Sequence, residues 1–424
     1  LAVKIVRQPK KIALIGAPSS AAAFAPGTEK APAALRAAGL IDRLQKAGYE
    51  VIDYGDCPPR LFADDDEHRR ARNLPPIVAG LNDLKTHVEV ATKSGAFVLV
   101  LGGDCAQSIG LLTGSRRYYK HLNLLWFDRD ADLNTPATTP SGRIDGMVVA
   151  HIIGKGAPEL VRFWGEPPLV REPDVTLFGI ERLDPPEQDW LNKSPLRHVL
   201  ASAIQSKGAV AAAKDALAHL HADTREFILH LDLDVIAQEE LPAVNVPGSG
   251  GLRFDEVRAA LTEFLSHKNL LGLDVAQFNP DKDPDGTGAR KIADLLVEAL
   301  TARIHSASSA EVATPTPAFE PPATKLPASE PPASVPEAET QATVEERHPK
   351  QPAAADPASA AAAPDAPEPV SIDPSVVDPE ASVPPSGDSD RAESDASASP
   401  DGDSASEADA GRPENARGAT SFES

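Results

Sequence analysis

The 424-residue chain has only two cysteines, Cys57 and Cys105, too few for a disulfide framework. Aromatic residues make up only 4% of it, and beyond Ser308 just Phe319 and Phe422 remain. No apolar run reaches the roughly 18 residues that span a bilayer, which argues against a membrane protein. Basic residues are nowhere clustered, which argues against nucleic-acid binding. The opening stretch LAVKIVRQPKKIALIG has too short an apolar run for a signal peptide, and no cleavage site follows it. The cytoplasm is therefore the expected compartment, with the true start left open because the chain opens on Leu1. One further absence is local. The stretch FDRDADLNTP, residues 127–136, has aspartates at 128, 130 and 132 and no histidine.

What is present divides into two kinds of sequence. Residues 1–308 read as an α/β domain, large enough to bury a sizeable core. Residues 309–424 are rich in Pro, Ala, Ser and acids. From Ser306 onward roughly 23 acids face about 6 basic residues, so most of the formal charge of −22 lies there. Such a segment has too few large apolar side chains to offset its chain entropy and is expected to be a disordered tail.

In the first part, strand and helix signals alternate. KIALIGAP (11–18), YEVIDYGD (49–56), AFVLVLGGD (96–104), LNLLWFD (122–128), DVTLFGI (174–180), FILHLDLD (227–234) and LLGLDVAQF (270–278) read as strands. Residues 31–48, 74–95 and 290–304 read as helices. Almost wholly apolar strands between helices indicate a parallel sheet covered on both faces. Ligands of such sheets bind beyond the carboxyl ends of the strands.

Four of those ends carry acids or unusual groups: GGDCAQSIG, FDRDADLNTP, LHLDLDVIA and LDVAQFNP. Residues two apart on a strand point the same way, so Asp128 with Asp130, and Asp232 with Asp234, are set to converge. Five gathered carboxylates repel one another unless cations neutralise them. An oxygen-rich set suits Mn²⁺ or Mg²⁺, and two such ions activate a water. Any one D-x-D pair alone reads more readily as a cap or a solvated acid; two sets after apolar runs shift the reading toward metal. Cys105 alone reads as a buried structural thiol, yet its place after Gly102-Gly103-Asp104 makes it a candidate ligand.

Together these blocks resemble the arginase (ureohydrolase) family, in order and spacing. The resemblance runs through IALIGAPSS, PGTEKAPAALRAAGL, DYGD, LGGDCAQSIG, FDRDADLNTPATTPSGRIDGM, LFGIERLDPPE, LHLDLDV, GSGGLRFDE and LDVAQFNPDKD. It implies a three-layer α/β/α sandwich with a mainly parallel eight-stranded sheet and a two-manganese site. It also implies hydrolysis of a guanidinium or amidine C–N bond, a small-molecule substrate, and a homo-oligomer, often a trimer or hexamer.

The same resemblance assigns site residues. Asp128, Asp132, Asp232 and Asp234 stand at the family's four aspartate ligands, and Cys105 and Asp130 stand where its two histidine ligands are expected. Asp145, in SGRIDG, takes the place of a proton-shuttling histidine. It can serve only if its pKa rises well above about 4. Gln277 replaces a glutamate that pairs with guanidinium, and Gln cannot form that ion pair. Asn134, Ser141 and Asp184 correspond to groups that hold an amino-acid substrate, although Asn134 and Ser141 are equally natural loop caps. Arg182 stands where that run usually has an acid, while Glu187 keeps its place. Of the remaining histidines, His151 and His230 could each restore an imidazole, but a packed structural role is the expectation for both. Three functions stay open: a C–N hydrolase acting on a compound other than arginine, an arginase with an altered site, and a non-catalytic relative with a binding or assembly role.

Overall fold

The computed structural model describes residues 5–312, with side chains through 305. The remainder of the expected tail lies outside the described residues. Eight strands form one sheet: β1 Lys11–Ala17, β2 Glu50–Asp56, β3 Phe97–Gly102, β4 Asn123–Phe127, β5 Val175–Ile180, β6 Arg197–Leu200, β7 Phe227–Asp232 and β8 Leu270–Ala276. Their order is β2-β1-β3-β8-β7-β4-β5-β6, and every pairing is parallel. Strands β3, β4, β5, β7 and β8 are buried along their whole length.

Alternation along the strands divides the interior between two faces. Ile12, Leu14, Leu99 and Leu101 pack with one set of helices, which includes Phe254–Ser266 and Thr287–Val312. Ala13, Ile15, Val98 and Val100 pack with a second set, which includes Leu74–Lys93 and Gln107–Arg116. The result is the three-layer sandwich expected from the sequence. Each fully buried Leu or Ile contributes about 1.5–3 kcal/mol, so the sheet centre is a stiff platform.

Two details differ from the sequence reading. Residues 31–48 form two helices, Ala31–Ala37 and Leu40–Lys46, because Gly39 between them takes φ +79°. That left-handed conformation ends a helix rather than continuing it. The eighth strand, β6, carries no apolar run in the sequence: it is a four-residue edge strand with exposed ends. Among the described residues, no helix is long and apolar enough to cross a membrane.

Candidate metal centre

Strands β3, β8, β7 and β4 are neighbours in the sheet, so their carboxyl ends lie side by side. The exit from β3 is held tightly. A Cβ on Gly103 would lie 2.5 Å from the Ala17 carbonyl, so only glycine lets this turn pack on the chain after β1. The Gln277 amide donates to the Gly103 carbonyl at 2.9 Å, tying the β8 exit to the β3 exit. This brings Cys105, at the start of the helix Gln107–Arg116, under the ends of β7 and β4.

The carboxylates are aimed by hydrogen bonds from the backbone and from one indole. Asp128 Oδ1 accepts from the Asp130 amide at 2.7 Å, and Asp128 Oδ2 accepts from Trp126 Nε1 at 2.9 Å. Asp232 Oδ1 accepts from the Asp234 amide at 2.8 Å. The Cys105 thiol donates to Asp232 Oδ2 at 2.9 Å. Two groups of potential ligand atoms result, each within 4.8 Å of one another: Cys105, Asp128, His230 and Asp232, and Asp128, Asp130 and Asp234. Asp132 sits nearby with φ 51° and belongs to neither group.

Asp130 turns outward. Its carboxylate takes a two-pronged contact from Arg182, Nε at 2.6 Å and Nη2 at 2.8 Å. Arg129, which the sequence reading passed over, is only 2% exposed. Its Nη2 lies 3.8 Å from Asp130 and 4.0 Å from Asp234, and donates to the Val246 carbonyl at 2.9 Å. A Cβ on Gly248 would fall 1.3 Å from Arg129 Nη1, so that glycine leaves the room the guanidinium fills.

Burial raises the acids. Asp128, Asp132 and Asp232 are all held well above the usual carboxylate range, first by burial and then by neighbouring acids: Asp232 for Asp128, Asp130 for Asp132 and Asp234 for Asp232. Asp234 is pushed up to about 7 by burial and by Asp130, against the opposing pull of Arg129. Burial likewise holds the Cys105 thiol well above its ordinary value, with Asp145 and Asp232 adding to it. Such groups want a cation.

The two histidines part company. His151 is spent on structure: Nδ1 faces the Met147 carbonyl at 2.6 Å, and Nε2 accepts from the Ala157 amide at 3.0 Å. His230 instead packs into the acidic crevice, fully buried. Its Nδ1 lies 2.7 Å from Asp274 Oδ1 and 2.9 Å from Ser108 Oγ. Among the described residues its Nε2 has no hydrogen-bond partner. Leaving such an atom unmet costs about 1–3 kcal/mol. That orphan nitrogen, together with the crowded acids, fits a bound divalent ion. The signal for it was present in the sequence: His230 and Asp232 are two apart on one strand and share a face.

The expected catalytic and substrate groups are all present and already engaged. Asp145 Oδ1 accepts from the Cys105 amide at 2.8 Å, and Oδ2 accepts from Gln277 Nε2. Burial and the neighbouring Asp104 push Asp145 up to about 7. Gln277, at φ 68°, leaves its Oε1 buried without a partner among the described residues. Asn134 Nδ2 donates to Asp184 Oδ2 at 2.8 Å. Ser141 Oγ accepts from the Arg143 amide at 3.1 Å, a loop-capping bond. Glu187 accepts from the amides of Leu133 and Asp184, both at 2.9 Å, and so ties the two loops together.

Residues 10–302 match the model of the arginase family. The chain is 33% identical over 293 residues to an arginase of Bacillus subtilis, covering 69% of this chain and 97% of that one. It is 31% identical over 278 residues to an arginase of Bacillus caldovelox, covering 65% and 92%. The crystal structure of arginase from Bacillus cereus superposes with a TM-score of 0.64 at 31% identity, covering 69% of this chain and 98% of that one.

Proposed function

The chain belongs to the arginase family, and on that premise we propose that it is a metal-dependent hydrolase of a C–N bond in a small amidine-type compound other than arginine. The observation that carries this reading is the gathering of buried carboxylates at the ends of β4 and β7, with donor atoms within 4.8 Å of one another. A bound divalent ion would supply Lewis acidity and an activated water there. Asp128, Asp232 and Cys105 would hold it, with Asp132 and Asp234 close by at the family's other aspartate positions.

The protein's own groups set the rest. Gln277 cannot ion-pair with a guanidinium, but its unpartnered Oε1 can accept one N–H of a neutral or weakly basic head group. Asp145, pushed up to about 7 by burial and by Asp104, would take a proton from water and return it to the leaving nitrogen. Asn134, Ser141 and Asp184 line the loops that would receive the substrate's remaining polar groups. The cytoplasm suits a chain whose two thiols are both free, and a trimer or hexamer is the assembly the family suggests.

A second reading, a catalytically inactive relative with a binding or assembly role, draws on one observation. Asp145 is closed in by Gln277 and the Cys105 amide, which fixes the group that ought to move a proton.

The test is ammonia and urea release from a panel of amidine and guanidino compounds, arginine included, with Mn²⁺ or Zn²⁺ added to the full chain. Turnover of an amidine, little urea from arginine, and loss of turnover in Asp232→Ala/Asp234→Ala are expected. Robust urea release from arginine overturns the substrate reading. Turnover surviving in the double variant overturns metal dependence, and silence on the whole panel favours the second reading.

A further inference from the structure

His230 is an imbalance in the crevice that the family pattern does not explain. It sits on β7 opposite Asp274 on β8, and its ring stacks on Trp126 with centroids 3.6 Å apart and planes 15° apart. The ring therefore has one orientation. Asp274 is fully buried and also accepts from Ser108 Oγ at 2.8 Å. A carboxylate so placed accepts a hydrogen bond from Nδ1–H and so keeps the imidazole proton there, which leaves a lone pair on Nε2. Metal-binding histidines are commonly fixed in this way by a carboxylate behind the ring. The lone pair points into the group made with Cys105 Sγ, Asp128 and Asp232. Nε2 and Asp128 Oδ2 are 3.9 Å apart, too far for a hydrogen bond to each other.

Resting on the metal-dependent reading above, we propose that this protein binds one ion per chain through Cys105 Sγ, His230 Nε2 and the carboxylates of Asp128 and Asp232, and that this donor set selects a Zn²⁺-class metal over Mn²⁺. The imidazole missing from the Cys105 and Asp130 positions is thus regained from the strand rather than from the loops. Thiolate and imidazole are the donors Zn²⁺ prefers, whereas Mn²⁺ favours sets dominated by oxygen. The thiol hydrogen now shared with Asp232 leaves as a proton when the ion binds. A second ion has little to recruit it, because Asp130 is already engaged by Arg182 and Asp234 is approached by Arg129.

Cobalt titration tests this without any substrate. Co²⁺ added anaerobically to the metal-free full chain should bind once per chain and show a thiolate-to-metal charge-transfer band in the near ultraviolet. Stoichiometric Zn²⁺ should abolish the band, and an excess of Mn²⁺ should not. Cys105→Ser should remove the band. Asp274→Asn should weaken Co²⁺ binding about 10–100-fold, and His230→Ala should weaken it further; the asparagine variant carries the test if the alanine variant does not fold. Two ions per chain, a spectrum without the band, or wild-type affinity in folded His230→Ala and Asp274→Asn overturns the proposal. A band with a silent substrate panel supports the site and sinks the hydrolase reading. An active enzyme without the band overturns the site alone.

Discussion

On the outer side of the crevice, Asp130 meets the guanidinium of Arg182, and Asp234 lies near Arg129. On the inner side, Asp128, Asp232 and Cys105 face one another and an imidazole, and among the described residues no Lys or Arg makes an ion pair with them. Both halves concentrate negative charge at the ends of parallel strands. The outer half is neutralised by the chain's own cations, which need no cofactor and cannot leave. The inner half is left for something that can. If the site holds one ion, as proposed above, the contrast teaches how a site arranged for two cations is reduced to one: arginine replaces the charge of a metal but not its empty orbital.

The sharpest way to break the contrast is Arg129→Met. Removing a buried cation leaves the outer acids uncompensated, and a loss of about 3–5 kcal/mol is expected in metal-free protein at pH 8. Urea denaturation reads it, and added Mg²⁺ should restore part of the loss through Asp128, Asp130 and Asp234. Unchanged stability would show that Arg129 does not balance these acids.

A smaller effect comes from pH. Asp145 and Asp234 have folded-state pKa values raised to about 7, above the ordinary value near 4. Their contribution is fully present below about pH 4 and is lost as pH rises toward 7. The stability of metal-free protein should therefore fall by up to about 1.4 kcal/mol per pH unit for each group across that window. Melting midpoints that rise between pH 5 and 7 would contradict the sign.

The smallest effect is expected of Arg182→Gln. Arg182 is half exposed, so its pair with Asp130 is worth about 1 kcal/mol or less. Ion affinity at the inner half should stay within about twofold of wild type, since Arg182 contacts none of its donors. A tenfold change in a Co²⁺ titration would mean that the two halves are coupled.

Much of the fold was legible because its strands are apolar runs punctuated by glycine and acids. The strand β6 was not, since an edge strand of four residues with exposed ends carries no hydrophobic signature. The site was legible in part. Alternate aspartates after apolar runs pointed to the strand ends. That Asp130 is drawn to Arg182 depends on a partner 52 residues away, which spacing does not reveal. His230 could be seen to share a face with Asp232, but its ring is fixed by Asp274, 44 residues further on. That acid lies inside the apolar run LLGLDVA, where it draws no attention. Arg129 shows in the sequence only as a cation between acids; the loop around Gly248 decides that it folds inward.

The sheet order has a consequence for how the protein is made. Strand β3 pairs with β8, and Cys105 meets Gln277 across a separation of 172 residues. A ribosome therefore completes β3, already beside β1, long before its other neighbour β8 exists. The early strands must wait with an unpaired central edge, exposed to wrong partners, until β7 and β8 emerge and fill the gap. The crevice assembles with that last insertion, so ion binding reports the arrival of the final strands and can be used to time it.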